Sequence, residues 1–319
     1  MAITISGGVQ LSGPVTLTPS SGGSGGGGSY SFQGSNYGYT SGGSSSGDVI
    51  DKFSLTSDGN ATDVGDLSAA KEDTAGQSSS TSGYVSGGTS SNPIQKFSFT
   101  SDGNATDIAD LSRNTNASTG QSSSESGYTS GGGLPPVPFA ANDWTVIDKF
   151  PFSSDANATD VGDLTVGGTN SSGQSSTSNG YTSGRYYSPM ASTNIVDKFP
   201  FASDSNATDV GDLTIPKTYS CGQSSADNGY TAGGGTYTSN VIDKFPFSSD
   251  SNATDVGDLI SIEGYASGQS STVSGYVSGG YDGSNLLNNI EKFPFASDSN
   301  ASSVGNLTVA RMRSSGQQY

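Results

Sequence analysis

The sequence predicts an all-β protein: a six-bladed β-propeller with four-stranded blades, its ring closed by an N-terminal strand that completes the last blade. Three observations predict it. A phrase recurs six times, its spacing matches one blade, and the two chain ends each hold a different part of one repeat.

The phrase is anchored by a Lys-Phe pair at Lys52-Phe53, Lys96-Phe97, Lys149-Phe150, Lys198-Phe199, Lys244-Phe245 and Lys292-Phe293. Successive phenylalanines lie 44, 53, 49, 46 and 48 residues apart. A four-stranded propeller blade needs roughly 40 to 50 residues, whereas a leucine-rich coil needs roughly 20 to 29. A solenoid is therefore the second choice. Glycine supplies 47 of 319 residues and only 30% are hydrophobic, which in an aperiodic chain suggests disorder. Fixed recurrence of the apolar residues changes that reading, because stacked units complete one another's cores.

The fullest repeat reads as four short strands: Gly229 to Gly234, Val241 to Phe247, Ala253 to Leu259, and Gly268 to Ser271. Side chains alternate along a strand, so Phe245 and Phe247 share a face, as do Phe150 and Phe152, Phe199 and Phe201, and Phe293 and Phe295. These rings are expected to pack between blades. Pro151, Pro200, Pro246 and Pro294 each remove a ladder donor and predict a bulge or an edge position. The Ser-Asp-x-Asn stretch that follows, as in Ser249 to Asn252, predicts a hairpin turn.

Closure is read from the termini. The chain stops at Gly316-Gln317-Gln318-Tyr319, a strand whose usual successor is Gly-Tyr-Thr-Ser-Gly-Gly. That successor stands near the front, as Gly38-Tyr39-Thr40-Ser41-Gly42-Gly43. Tyr39, Gly42 and Gly43 are thus expected to share a sheet with Gly316 and Gln317, which removes exposed sheet edges.

The division is residues 1-29 as an extended arm and Gly/Ser-rich linker, and residues 30-319 as the propeller. Met1 to Ser20 lacks a basic start and a continuous apolar run, and alternates like an extended β arm. Gly25 to Gly28 reads as its flexible joint. No stretch reaches the roughly 20 apolar residues of a spanning helix, so a soluble protein without membrane insertion is expected.

The formal charge is -17, with 29 acidic against 12 basic residues, which argues against nucleic acid as a partner. Histidine is absent and Cys221 is the only cysteine, leaving no internal disulfide, no Cys/His zinc site and no Ser-His or Cys-His catalytic pair. No catalytic residue and no cofactor is assigned.

Other recurring residues read as scaffold. Asn-Ala-Thr or Asn-Ala-Ser begins at Asn60, Asn104, Asn157, Asn206, Asn252 and Asn300, matching a glycosylation acceptor, but one motif locked into every blade favours a turn. Asp250, Asn252 and Asp255 fall short of a calcium loop in glycine and closing Glu, so no metal is assigned. Lys52 with Asp66, Lys149 with Asp163, Lys198 with Asp212 and Lys244 with Asp258 are expected to form ion pairs. Gln77, Gln121, Gln174, Gln223, Gln269 and Gln317 are expected to satisfy backbone groups between strands.

Function is expected where the repeats differ. One variable segment follows the Gly-Gly pair; its longest version holds Phe139 and Trp144, and later blades carry Tyr186, Tyr187, Tyr237 and Tyr281 there. These six are the candidate ligand- or partner-binding residues, with gap filling between blades as the equal alternative. A second variable segment follows Val-Gly-Asp-Leu, as in Ser68 to Ala75, Arg113 to Thr119 and Ile260 to Ser267; it shares no chemistry and is expected to face solvent.

The Gly-Tyr-x-Ser-Gly-Gly strand, at Tyr84 to Gly88, Tyr128 to Gly132 and Tyr276 to Gly280, resembles the double-glycine strand of kelch-type propellers over residues 38 to 319. The tryptophan of kelch blades is missing, since Trp144 lies in an insertion. The complete phrase looks like the kelch-like repeats of virion structural proteins of aquatic tailed bacteriophages. That resemblance implies a non-enzymatic tail-fibre, spike or head-decoration component, located in the virion, multimeric in its assembly and docked to other virion proteins through the arm. A host surface glycan is the implied adhesion partner. The alternatives are a stand-alone, extracellular carbohydrate-binding propeller and a subunit of an extracellular filament.

Overall fold

The computed structural model describes residues 32–45, 47–89, 91–133, 144–187, 191–235 and 238–319. They form six four-stranded antiparallel sheets. Blade 2 shows the pattern, with strands laid down from inside to outside: Ala75–Ser78, Ser82–Ser86, Ser91–Ser98 and Thr106–Thr115. Blades 3 to 6 follow with inner strands Thr119–Ser122, Ser172–Ser175, Cys221–Ser224 and Ser267–Ser270. Every inner strand touches the inner strands of both neighbours, and the series returns to its start. The blades therefore make a ring around an axial channel.

Blade 1 draws on both ends of the chain. Its inner strand is Ser315–Gln318, and its other three are Tyr37–Gly43, Gly47–Ser54 and Thr62–Asp66. The register places Tyr39 opposite Gln317 and Thr40 opposite Gly316. Ser41 Oγ donates to Gln317 Oε1 at 2.8 Å across the same seam. Gly43 turns away there at φ +100°, where a Cβ would crowd the Met312 carbonyl.

The core lies between blades. The second-strand tyrosine of one blade packs on the phenylalanine pair of the next: Tyr181 lies 5.5 Å from Phe245 and 4.8 Å from Phe247, centroid to centroid. Aromatic pairs in this geometry contribute about 0.5–1.5 kcal/mol beyond their buried area. In each neighbour pair the valine or isoleucine, leucine and alanine of the repeat close the same cluster, as Val196, Leu213 and Ala253 do beside Tyr181 and Phe245. Blade 1 carries Leu55 in place of the second phenylalanine, and the Tyr276 hydroxyl donates to the Leu55 carbonyl at 3.0 Å.

The prolines sit at strand ends. Pro151 is the last residue of Val146–Pro151 and pairs inward with Ser126. The outer strand stops pairing at Lys149, so the donor that Pro151 lacks would have met no ladder partner. The bulge lies elsewhere, between Ile147 and Asp148.

Polar rings join the blades at the axis and at the periphery. Innermost, each glutamine reaches the next blade: Gln174 Nε2 donates to the Tyr230 carbonyl (2.9 Å) and to Thr231 Oγ1 (3.0 Å). At the periphery the Asn-Ala-Thr turn clasps the preceding outer strand. Asn252 Oδ1 accepts from the Asp212 amide at 3.1 Å, and the Ala253 amide donates to the Asp212 carbonyl at 2.8 Å. The repeated motif is thus accounted for by an interblade clasp.

The expected Lys52–Asp66 family of ion pairs is not what forms. Each lysine instead reaches the Ser-Asp turn of the following blade: Lys52 to Asp102 (2.8 Å), Lys149 to Asp204 (2.9 Å), Lys244 to Asp298 (2.6 Å), and finally Lys292 to Asp58 of blade 1 (2.6 Å). Asp66, Asp163, Asp212 and Asp258 lie on the outer strands, where their main chains receive the asparagine clasp. The lysine side chain crosses to the adjacent blade because the hairpin turn brings an unpaired carboxylate there. These pairs are more than half exposed on the acid side, and surface pairs of this kind are worth at most about 1 kcal/mol each. Asp250, considered for calcium, is committed to Lys198 in the same way, while Asp255 caps its own turn at the Gly257 amide.

Candidate functional site

The two faces of the ring are built differently. One carries the turn between inner and second strands, constant in length and in its leading serine from blade 2 to blade 6, and the Ser-Asp-x-Asn turn, which hardly varies from blade to blade. The other carries both variable segments, the one after Gly-Gly and the one after the outer strand, held together by bonds such as Gly132 amide to Gly168 carbonyl (2.9 Å). Sequence variation is thereby concentrated on one face.

At that face the channel opens through a ring of six equivalent residues: Asp73, Ala117, Asn170, Tyr219, Tyr265 and Arg313. Each stands four positions before its blade's glutamine. Their amides and carbonyls link head to tail: Ala117 to Asp73, Asn170 to Ala117, Tyr219 to Asn170, Tyr265 to Tyr219, Arg313 to Tyr265 and Asp73 to Arg313, all at 2.8 or 2.9 Å. All six hold left-handed backbone angles, with φ from 53° to 62°. This conformation costs a non-glycine residue about 1 kcal/mol or more. The closed ring of hydrogen bonds and the neighbouring blades hold it in place, so the six side chains project from one constrained circle.

Those side chains differ, and the differences are chemically ordered. Tyr219 and Tyr265 have ring centroids 4.1 Å apart. The Arg313 guanidinium carbon lies 4.9 Å from the Tyr265 centroid, and its Nη1 is 3.5 Å from Asp73 Oδ2 and 3.8 Å from Glu72 Oε1. Burial pushes the Asp73 carboxyl above its ordinary range, and the Arg313 charge draws it back down. Asn170 and Ala117 complete the circle with an amide and a methyl group. Trp144 and Tyr186 widen the mouth into a funnel of about 290 Å³.

Of the six aromatic candidates, Trp144 and Tyr186 line this mouth. Tyr187 lies at the end of Asn179–Tyr187 with its side chain exposed. Tyr281 pairs through its backbone with Gly264 and is not part of the mouth. Phe139 and Tyr237 lie outside the described residues, as does the arm proposed for residues 1-29.

The second variable segment was expected to face solvent, and here the expectation is corrected. Its far end turns inward and supplies the whole circle of rim residues. Its middle is buried as well, at Thr115, Lys217, Glu263 and Arg311. The signal was present as six residues of five types at one fixed offset from the repeated glutamine, but shared chemistry was sought where position carried the information.

The opposite end of the channel is occupied by the chain itself. Phe32 is buried against the inner strands. The Gly34 amide donates to the Ser270 carbonyl (2.7 Å), and Gln33 Nε2 to the Ser224 carbonyl (3.3 Å). Gln318 stands where the other inner strands carry serine, and its Nε2 donates to the Phe32 carbonyl at 2.6 Å. The chain therefore enters the ring on the uniform face.

The ring of sheets defines the class: the protein is a six-bladed β-propeller with repeated blades. No protein-family model matches the chain, and a search of curated proteins gives no significant match.

Proposed function

We propose that the protein is a non-enzymatic display and adhesion module that binds a carbohydrate at the funnel of its variable face and is carried by a larger assembly on its opposite face. The observation that carries this reading is the rim: six backbone-equivalent positions on an otherwise repeated scaffold, occupied by Asp73, Ala117, Asn170, Tyr219, Tyr265 and Arg313. Two tyrosine rings in close, tilted contact beside an Arg–Asp pair suit a sugar, whose apolar face lies on aromatic rings while its hydroxyls bond charged groups. Phe32 lies at the end of the channel opposite the funnel, where its carbonyl is held by Gln318. The sequence resemblance described above supports a virion as the assembly, with residues 1-29 as the docking arm, through strand addition.

Two experiments test the two halves. Replacing Tyr219 and Tyr265 together with alanine should reduce binding on a glycan array at least tenfold while shifting the melting temperature by no more than a few degrees. Undiminished binding by that double variant, or no binding by the parent protein to any glycan, removes the carbohydrate reading. Deleting residues 1-29 should leave the cooperative melt unchanged and abolish incorporation into particles, and normal incorporation rejects the arm as the anchor.

A further inference from the structure

A second feature lies between blades, at the depth of the third strand. There every blade presents one polar residue to its predecessor: Asp51, Gln95, Asp148, Asp197, Asp243 and Glu291. In three interfaces a fully buried cation answers it: Arg311 to Asp51 (2.7 Å), Arg185 to Asp197 (2.8 Å) and Lys217 to Asp243 (3.2 Å). Arg113 lies near Asp148 and lowers the carboxyl that burial has raised. Gln95 accepts from the Ser68 amide and hydroxyl as Asp51 and Asp197 do from their threonines, and Lys71 at the equivalent cation position donates to Ser91 Oγ at 2.6 Å. The cation heads are also held by main-chain carbonyls. Lys217 Nζ donates to Val241 (2.7 Å) and Thr231 (3.3 Å), and Arg311 Nη1 to Val49 (3.0 Å) and Gly42 (3.2 Å).

The interface between blades 5 and 6 departs from this arrangement. The position of Lys217 and Arg311, four residues after the repeat leucine, holds Glu263. Glu263 is 1% exposed; among the described residues neither carboxylate oxygen meets a hydrogen-bond partner in good geometry, and the Asn289 amide is the polar group beside it. Its counterpart Glu291 is buried, accepting from the Ile260 amide (2.9 Å) and from Asn289 Nδ2 (2.7 Å). The other charged group bearing on Glu263 is Asp282, also acidic. Two buried acids thus meet where equivalent interfaces join an acid to a base.

We propose that this socket binds a free divalent cation of the calcium type, which replaces the side-chain cation found at Lys217 and Arg311. Hard oxygen donors converge on it: the Glu263 carboxylate, Glu291, and by register the carbonyls of Val277 and Asn289, which match those of Thr231 and Val241. Among the described residues no cluster of three or more acidic, histidine or cysteine side chains is present, so binding in the range of roughly 0.1–1 mM is expected.

The test is thermal unfolding at pH 8.5 with EDTA or with 10 mM CaCl2. Calcium should raise the melting temperature by about 5 °C. The variant Glu263→Lys supplies the cation internally; it should melt above the parent in EDTA and lose the calcium response. Glu263→Gln should lose most of the response as well. An unchanged melting temperature of the parent in calcium overturns the site and leaves a shared proton between two acids. A calcium shift that persists in Glu263→Lys places the ion elsewhere and equally overturns it.

Discussion

Removal of residues 315–319 is expected to abolish cooperative folding of the whole ring. Those residues make the inner strand of blade 1, paired to Gly38, Tyr39, Thr40 and Ser41. They also join blades 6 and 2 through it. Gln317 Nε2 donates to the Tyr84 carbonyl of blade 2 at 3.1 Å, and the Gln318 amide to Ser78 Oγ at 3.0 Å. The Tyr319 ring lies tilted against Phe99, 5.4 Å between centroids, and its backbone exchanges bonds with Tyr37. In a linear array the loss of one strand frays one unit, since each unit touches only its neighbours. In a ring it opens two interfaces, exposes the edge of the Tyr37–Gly43 strand and frees Phe32 by removing Gln318. Calorimetry and limited proteolysis read the outcome. A truncated chain that keeps one sharp transition within a few degrees of the parent would show that the seam carries little.

The second large effect is expected from a single methyl group. In Gly222→Ala the added Cβ falls inside the van der Waals shell of the Gly173 carbonyl oxygen, on the backbone of the preceding inner strand. Gly76, Gly120, Gly173, Gly268 and Gly316 face the same obstruction from their own neighbours. Six strands approach this closely because they converge on the axis, and main chain cannot move aside as a flexible side chain does. Overpacking in a tight core costs about 1–3 kcal/mol, and a clash with main chain on a closed ring belongs at or above the upper end. The control is Gly59→Ala. A Cβ there meets nothing within 4 Å, and the other turns already carry Gly103, Ala156, Ser205, Ser251 or Ser299. Equal denaturation midpoints for Gly222→Ala and Gly59→Ala would contradict the packing argument.

The same contrast shows what was readable before the structure. The phenylalanine pairs announced themselves because strand alternation puts Phe245 and Phe247 on one face whatever they pack against. Closure was readable because the tail ends on a Gly-Gln strand whose partner stands at Tyr39. Both are properties of local order along the chain. The lysine partners were misread because Lys52 and Asp66 are near in sequence, whereas Lys52 and Asp102 meet only when blades 1 and 2 are set side by side. Arg185 is a clear case of the same limit. Its blade interface has Gly168 where others have Lys217 or Arg311, and the guanidinium comes instead from the second position of a Gly-Gly pair on the adjoining strand. A repeat alignment shows the missing cation and the odd arginine but not that one answers the other.

By itself the sequence determined the blade count, the four-strand unit, the aromatic layer between blades and the pairing of the two ends, because these follow from period, alternation and chain order. Tertiary structure decided which charges meet, that the turns of constant length and the variable segments take opposite faces, and that six residues of five types share one circle at the channel mouth. The reason is physical: such relations depend on the angle between successive blades and on the radius at which inner strands meet the axis, and no stretch of chain shorter than the closed ring contains either quantity.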